Sequence, residues 1–262
     1  MTIRLALAQT KHPEDDDVIS LVRSCSRLAK EQGADIVVFP ESLMTRFEEK
    51  QQAFLEKAQS VDGPFSHAVD TVAKEIGIWI VYTMNELNPS AETPYNTAII
   101  VDSQGCKRGA YRKVHLFDSD KVKESSRMSA SSTIFEPIDT PLACLGLGIC
   151  YDLRFPEYAR KQALGGCDVL LFPAAWVDGP SKELQWKRLL QARAIENQIF
   201  VAGVSRCDEG YIGNSCVYAP NGEPVLEAGR EENVYCADID FEEIERMRQA
   251  IPALDHRRTD LY

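Results

Sequence analysis

Two stretches of the chain share one pattern, and this repetition constrains the fold more than any other feature of the sequence. Residues 33–41 read Gly-Ala-Asp-Ile-Val-Val-Phe-Pro-Glu, and residues 166–174 read Gly-Cys-Asp-Val-Leu-Leu-Phe-Pro-Ala. Each follows a predicted helix and contains a short, continuously apolar strand, which is typical of a sheet covered on both faces. The sequence therefore predicts an α/β fold of two similar halves, each a sheet with helices on its outer face, packed sheet against sheet.

This arrangement points the ends of the two repeated strands toward one shared cleft. The first strand supplies Glu41 there, and the second supplies Ala174. Because proline ends strand pairing, Glu41 leaves the sheet at its edge. Considered alone, Glu41 is better explained as a helix-capping or solvated side chain, so a chemical role depends on its neighbours.

Helix and strand signals alternate along the rest of the chain. We predict strands at residues 3–9, 35–39, 78–82, 97–102, 168–172, 199–204, 215–219 and 234–239, and helices after the acidic run 15–17 as far as 32 and at 63–77, 156–164, 182–198 and 241–250. The Asn221-Gly222 pair predicts a hairpin turn. With 262 residues and 44% hydrophobic content, the chain is expected to form one domain over residues 1–262.

Composition narrows the possible partners. The formal net charge of −11 argues against nucleic acid or an anionic membrane as a partner. The sequence shows neither an apolar run of about 18 residues nor a secretory signal pattern, so we expect a cytoplasmic protein. The 8 cysteines form no Cys-x-x-Cys pair and the 4 histidines are dispersed, so we expect reduced thiols and no metal or other cofactor.

One cysteine has a sequence context that suits a nucleophile. Cys150 follows a short apolar strand and precedes Pro156-Glu157, which is typical of the first turn of a helix. A sharp turn at the strand end can place the sulfur beside free backbone N–H groups, where a thiolate would have an oxyanion hole close by. A lone cysteine at a strand end is more often a buried packing residue.

A third run, residues 111–116 (Tyr-Arg-Lys-Val-His-Leu), completes the parts of an amide-cleaving site. If this run is extended, Lys113 and His115 share one face. The thiol of Cys150 needs a proton acceptor, and both Glu41 and His115 can serve. Lys113 can stabilise the oxyanion, together with the backbone N–H of Tyr151. The spacing of these residues leaves both candidate bases open.

The three runs resemble the Glu, Lys and Cys motifs of the nitrilase (carbon–nitrogen hydrolase) superfamily, in that family's order. They are Phe39-Pro40-Glu41, residues 111–116 and residues 150–157, and the resemblance continues to the tail at 257–262. It implies a four-layer αββα sandwich, no metal, a thioester on Cys150, Glu41 rather than His115 as the base, and a homodimer or larger assembly. It also implies a second active-site glutamate, for which Glu124 is the matching position.

Within the superfamily, the chain most resembles amidases of small carboxylate-bearing amides. Residues 174–180, which include Trp176, and residues 124–127 favour deaminated-glutathione amidases, whereas the tail fits these and ω-amidases of α-keto acid amides alike. True nitrilases usually carry Trp-Glu directly after the cysteine, and Tyr151-Asp152 here argues against a nitrile substrate. We expect Tyr151 and Trp176 to contact the substrate.

Arg154 is the candidate carboxylate ligand. The matching arginine of related carbamoylases binds the substrate carboxylate, a task that suits a planar guanidinium. The alternative is a structural ion pair with Asp152 or Glu157.

The sequence therefore predicts an amidase, with Glu41, Lys113, Cys150 and Glu124 as catalytic residues and a small-molecule amide as partner. Deaminated glutathione is the first substrate prediction, and an ω-amide of an α-keto acid is the alternative. Acyl transfer to an amine ranks lower because this short chain shows no additional acceptor domain. A non-catalytic interaction protein of the same fold is disfavoured because all three motif residues are present.

Overall fold

The computed structural model describes residues 2–46, 51–120 and 122–261. Its strands are β1 (Thr2–Gln9), β2 (Ile36–Val38), β3 (Trp79–Glu86), β4 (Tyr95–Val101), β5 (Lys107–Arg112), β6 (Ile138–Asp139), β7 (Cys144–Leu147), β8 (Val169–Ala174), β9 (Phe200–Ser205), β10 (Cys216–Tyr218), β11 (Pro224–Glu227) and β12 (Asn233–Asp240). Its α-helices are α1 (Val18–Glu31), α2 (Gln51–Glu56), α3 (Pro64–Ile76), α4 (Pro156–Leu164), α5 (Lys182–Asn197) and α6 (Glu242–Ala250).

The strands form two six-stranded sheets of related design. The first sheet has the order β12-β1-β2-β3-β4-β5, and the second has the order β11-β10-β9-β8-β7-β6. In each sheet three adjacent strands are parallel, β1-β2-β3 in one and β7-β8-β9 in the other, and antiparallel strands flank them. Helices cover the outer faces, so the predicted α/β sandwich of four layers is confirmed.

The apolar strands are continuous because both of their faces are buried. In β2, Ile36 and Val38 belong to the core between the two sheets, whereas Val37 belongs to the core beneath α1 and α3. Side chains alternate between the faces of a strand, so each residue of this short strand contributes to one core or the other. The sequence repeat therefore reports two central strands in equivalent positions.

The element boundaries differ from the predicted ones where local chemistry decides them. The helix α1 begins at Val18 because the carboxylate of Asp17 caps it by accepting from the Ser20 N–H. The strand β3 continues beyond the predicted apolar run as far as Glu86, because its polar residues are buried and hydrogen-bonded. The run at 111–116, taken alone, favours a basic edge strand, and the edge strand β5 lies earlier, ending at Arg112. The short elements α2 and β6 lack a clear apolar period and were not predicted.

Met1 and Tyr262 lie outside the described residues, so the predicted domain over residues 1–262 is described only between them. Among the described residues, we find no helix that is long and apolar enough to span a membrane.

Candidate active site

The two repeated strands end at the same cleft, as predicted. Glu41 follows β2 and Ala175 follows β8, and the backbone N–H of Ala175 donates a 2.8 Å hydrogen bond to Glu41 Oε2. Glu41 is 4% exposed and its carboxylate is bound within the cleft, so it is neither a solvated side chain nor a helix cap. The alternative that was favoured for Glu41 alone is therefore wrong.

Lys113 lies beside Glu41 and Glu124. Its Nζ is 2.8 Å from Glu41 Oε1 and 2.9 Å from each carboxylate oxygen of Glu124. Its backbone N–H donates to Asn96 O, which fixes the residue directly after β5 ends at Arg112. The structure thus brings Glu124, predicted from a loosely matched loop, into contact with Lys113.

The charges of this cluster stabilise one another. Burial opposes the charged form of Lys113, but the carboxylates of Glu124 and Glu41 outweigh it and hold the pKa of Lys113 well above its ordinary value. Burial also disfavours the ionised form of Glu41, yet the charge and hydrogen bond of Lys113, together with the Ala175 N–H, hold the pKa of Glu41 below its ordinary value. At neutral pH the site therefore contains a carboxylate and an ammonium.

Asn96 provides a further contact to the Glu41 carboxylate. Its Nδ2 donates a 2.7 Å hydrogen bond to Oε1, the oxygen that also accepts from Lys113. With the Ala175 N–H on Oε2, three donors orient one carboxylate in a buried site. Such a carboxylate has little rotational freedom, so its orientation is set before any substrate binds.

Cys150 occupies a strained turn between β7 and α4. Its φ of 47° lies in the left-handed region, which is uncommon for a residue other than glycine. The strand approaches the turn through Gly148, where a Cβ would lie only 2.4 Å from a ring carbon of Phe172. The glycine is needed for this close approach, which lets β7 lead directly into the turn.

The thiol of Cys150 is buried, although the sequence context suggested a thiolate. Cys150 is 8% exposed, and burial, reinforced by the Glu41 carboxylate, raises its pKa well above the ordinary value despite the opposing charge of Lys113. The resting residue is therefore a neutral thiol. A nucleophile in this state needs a base at the moment of attack, and the thiol interacts with Glu41.

His115 lies in a different set of contacts. Its Nδ1 is 2.7 Å from Asp152 Oδ1, and its ring stacks on Phe155 with centroids 3.7 Å apart. Since β5 ends at Arg112, Lys113 and His115 do not share a strand face, which corrects the extended pattern. The structure brings Cys150 together with Glu41 and Lys113, while His115 contacts the acid two residues after the cysteine.

Asp152 connects the Lys113 segment to the Cys150 turn. Its buried carboxylate accepts hydrogen bonds from the Ile149 N–H at 2.8 Å and from Tyr111 OH at 2.8 Å, in addition to its contact with His115. The Ile149 contact holds the residue directly before the nucleophile. Asp152 therefore stabilises the turn that carries the nucleophile. Among the residues described, it forms no ion pair with Arg154.

A cavity of two joined lobes opens onto these residues. The first lobe has a volume of about 560 Å³ and the second about 260 Å³, and both volumes include space open to solvent. Phe117, Cys150, Ala175 and Val177 line both lobes. The first lobe also contains the other members of the cluster, namely Glu41, Asn96, Lys113 and Glu124. Cys150 therefore lies at the junction, where a small amide could reach it from either side.

The second lobe holds the three predicted substrate-binding residues. Arg154 lies over the ring of Trp176 at 4.8 Å and near the ring of Tyr151 at 6.0 Å, and its Nη2 donates to Gln185 Oε1. No ion pair of Arg154 with Asp152 or Glu157 is found in the described part of the chain, so the structural alternative lacks its partner. Lys182, which the sequence did not single out, lines the same lobe.

Sequence reasoning missed three contacts in the site: Asn96, the Ala175 N–H and Lys182. Asn96 and Ala175 reach Glu41 only through strand register and the packing of one sheet on the other, which leave no local signal. The repeat itself was the available clue for Ala175, because it placed residue 174 at the cleft. For Lys182, the only signal was its position at the start of a predicted helix.

The comparisons with known proteins identify the family. The family model for carbon–nitrogen hydrolases matches residues 4–249. The chain belongs to this family. The human protein named omega-amidase NIT2 is 36% identical over 277 residues, covering 100% of this chain and 97% of the human protein.

Two solved structures of related proteins have the same fold as this chain. Nit3 of Saccharomyces cerevisiae, a member of branch 10 of the nitrilase superfamily, has a TM-score of 0.87 at 32% identity, covering 98% of this chain and 97% of Nit3. The NitFhit protein of C. elegans has a TM-score of 0.88 at 29% identity; the match covers 100% of this chain and 66% of that longer protein. The chain is a nitrilase-superfamily hydrolase, and its family and relatives make it an amidase.

Proposed function

We propose that this amidase hydrolyses the terminal amide of small carboxylate-bearing substrates, as an ω-amidase, through a thioester on Cys150. The observation that carries the proposal is the position of Cys150 at a cavity junction, beside a Glu41 carboxylate that Lys113 contacts at 2.8 Å. Relatives named omega-amidase favour the ω-amide alternative over deaminated glutathione, which the sequence motifs favoured first.

In the first half-reaction, the neutral thiol of Cys150 loses its proton to Glu41 as the sulfur attacks the amide carbon. The new S–C bond gives a tetrahedral oxyanion. Glu41 then returns the proton to the amide nitrogen, the C–N bond breaks, and ammonia leaves the acylated cysteine. The raised pKa of Cys150 and the lowered pKa of Glu41 support this scheme. At neutral pH the glutamate is already a carboxylate that can accept a proton, whereas the thiol still carries its proton.

In the second half-reaction, water attacks the thioester carbon while Glu41 removes one of its protons. The C–S bond breaks, the sulfur regains a proton from Glu41, and the carboxylic acid is released. Glu41 ends each half-reaction in the state in which it began it, so one carboxylate serves both steps. Its three hydrogen-bond donors favour a fixed orientation throughout.

Lys113 stabilises the oxyanion of both tetrahedral intermediates, with the backbone N–H of Tyr151 as the second donor. A charge fixed beside a developing oxyanion lowers the barrier more than it strengthens ground-state binding. Glu124 holds the ammonium of Lys113 with both carboxylate oxygens and itself accepts from the Phe117 N–H at 2.6 Å. We assign Glu124 to the orientation of Lys113.

Arg154 binds the substrate carboxylate in the second lobe. Its guanidinium lies over Trp176 and near Tyr151, so these rings hold its plane while leaving edge donors for a ligand. Tyr151 and Trp176 line the same lobe, so we propose that they contact the part of the substrate that lies between Cys150 and Arg154.

We further propose a cytoplasmic enzyme whose single domain spans residues 1–262 and assembles as a homodimer or larger oligomer. Light scattering after gel filtration measures the assembly. A monomer would contradict it.

Ammonia release from a matched panel tests the proposed function. The panel comprises α-ketoglutaramate, glutaramate, deaminated glutathione and neutral pentanamide. We expect the two ω-amides to have the highest kcat/KM and pentanamide the lowest. A higher kcat/KM for deaminated glutathione would restore the first sequence prediction, and equal values for charged and neutral amides would overturn the carboxylate requirement.

A further inference from the structure

Among the described residues that line the second lobe of the cavity, two are cations and none is a carboxylate. They are Arg154 and Lys182, and Lys182 has no part in the catalytic scheme above. We infer that Lys182 forms, together with Arg154, the subsite for the substrate carboxylate and makes the enzyme selective for anionic amides. This inference rests on the proposed function, because it assigns the second lobe to the acid end of the same substrate.

The surroundings of Lys182 leave its ammonium available to a ligand. Its Nζ lies 5.3 Å from the ring centroid of Phe117, on the wall shared by both lobes. Its backbone is fixed separately, because the carbonyl accepts a 3.1 Å hydrogen bond from the Trp176 indole and the N–H donates to Gly179 O. Within the described residues, the ammonium forms no ion pair or side-chain hydrogen bond.

The acids nearest to Lys182 in the chain are paired with other cations. Glu183 lies 3.3 Å from Lys187 and 3.8 Å from Arg230, and Asp178 lies 2.7 Å from Arg230. These pairs draw the negative charge of the segment away from the cavity. The positive charge of Lys182 therefore stays uncompensated by the segment that carries it.

Arg154 is in a similar position on the other side of the lobe. Its side-chain hydrogen bond goes to the neutral Gln185, and its remaining contacts are with aromatic rings. A guanidinium that is not neutralised by a carboxylate retains two-pronged donor capacity for one. Gln185, three residues after Lys182 on α5, orients Arg154 without cancelling its charge.

The positive charges of Arg154 and Lys182 repel each other in this half-buried lobe, and a bound anion would offset the repulsion. Burial first, and then the charge of Arg154, lower the pKa of Lys182, whereas the nearby Cys150 opposes the shift. The start of α5 adds the partial positive charge of a helix N-terminus to the same region. A carboxylate between the two side chains would relieve this repulsion.

The relation of the lobe to the nucleophile defines the size of the ligand. Cys150 lines both lobes, so an amide carbon at the sulfur places the rest of a short chain in the second lobe. A chain of a few carbons would bring a terminal carboxylate to Arg154 and Lys182, which line this lobe together with Cys150. The chemical class is therefore the monoamide of a short dicarboxylic acid.

The variant Lys182→Met tests the inference against glutaramate and pentanamide, which differ in having a carboxylate or a methyl group at the far end. We expect kcat/KM for glutaramate to fall about tenfold or more, the effect of losing one charge-assisted contact, with less than about a twofold change for pentanamide. Competitive inhibition by glutarate, the hydrolysis product, should weaken by a similar factor. Lys182→Arg should retain most of the preference.

Lys187→Met is the matched control, since Lys187 lies on the same helix but pairs with Glu183 and Glu227 outside the cavity. It should leave both substrates and glutarate inhibition unchanged. A Lys182→Met enzyme with the wild-type preference for glutaramate would overturn the inference while leaving the proposed function intact. Equal losses on both substrates would also overturn it, by showing a structural role. Failure of the wild-type enzyme to prefer glutaramate would instead reject the proposed substrate class.

Discussion

His115 Nδ1 lies 2.7 Å from Asp152 Oδ1, and the same carboxylate accepts from the N–H of Ile149, the residue before Cys150. The histidine that the sequence offered as a rival base is thus part of the support for the cysteine turn. Glu41, by contrast, interacts with the thiol and with Lys113. Because His115 and Glu41 have different partners, substituting each of them should affect the reaction to a different extent.

We predict that Glu41→Gln lowers kcat by about a thousandfold or more, because the amide keeps the shape of the side chain but cannot accept the thiol proton. His115→Asn should cost less than about tenfold, because it disturbs only the support of the turn. Ammonia release from glutaramate measures both. The reverse order of losses would replace the Glu41 scheme with a Cys–His mechanism.

Asp152→Ala should lower the free energy of unfolding by more than about 3 kcal/mol, because it leaves the Ile149 N–H and Tyr111 OH unsatisfied in a buried site. Urea unfolding followed by circular dichroism measures the change. Asp255→Ala is the control, since Asp255 is exposed. Equal stability of the two variants would show that the Asp152 network does not support the turn.

Lys113→Met should lower kcat far more than it raises KM, because an ammonium beside an oxyanion acts mainly in the transition state. Steady-state kinetics on glutaramate separate the two constants. An unchanged kcat with a higher KM would recast Lys113 as a substrate-binding residue.

The pH profile of kcat/KM provides an independent test of the base. Because the charge and hydrogen bond of Lys113 hold the pKa of Glu41 below its ordinary value, the carboxylate is ionised at neutral and mildly acidic pH. Activity should therefore stay level as the pH falls from about 7 to about 5 and decrease only below, whereas a histidine base would give a decrease near pH 6.5.

Folding must be monitored across the same pH range. The folded-state pKa of Glu41 is depressed, so its ionisation stabilises the fold above the unfolded-state pKa, and this contribution is lost as the pH falls through the folded-state value. Circular dichroism at each pH distinguishes loss of the base from loss of the fold. A decrease in activity near pH 6.5 in a folded protein would contradict the assignment of Glu41.

The sequence predicted the parts of the site that follow from strand order. The repeat in the sequence placed Glu41 and Ala174 at one cleft, because two equivalent central strands end there. It did not show that the next residue, Ala175, donates its backbone N–H to Glu41. The position of Asn96 depends on the pairing of β4 with β5, and that of Lys182 depends on the path of the chain between β8 and α5. Neither has a periodic signature. The neutral state of Cys150 also required the structure, because burial rather than sequence context sets its pKa.

The most direct test of the account is whether Cys150 alone carries the acyl group. Wild-type enzyme quenched in acid during turnover of glutaramate should yield a Cys150 peptide heavier by one glutaryl group, seen by mass spectrometry. Cys150→Ala should show no acylated peptide and a loss of ammonia release of about a thousandfold or more, whereas Cys106→Ala, at an exposed cysteine, should match the wild type. Acylation at another residue, or more than a few per cent of wild-type activity in Cys150→Ala, would contradict the account.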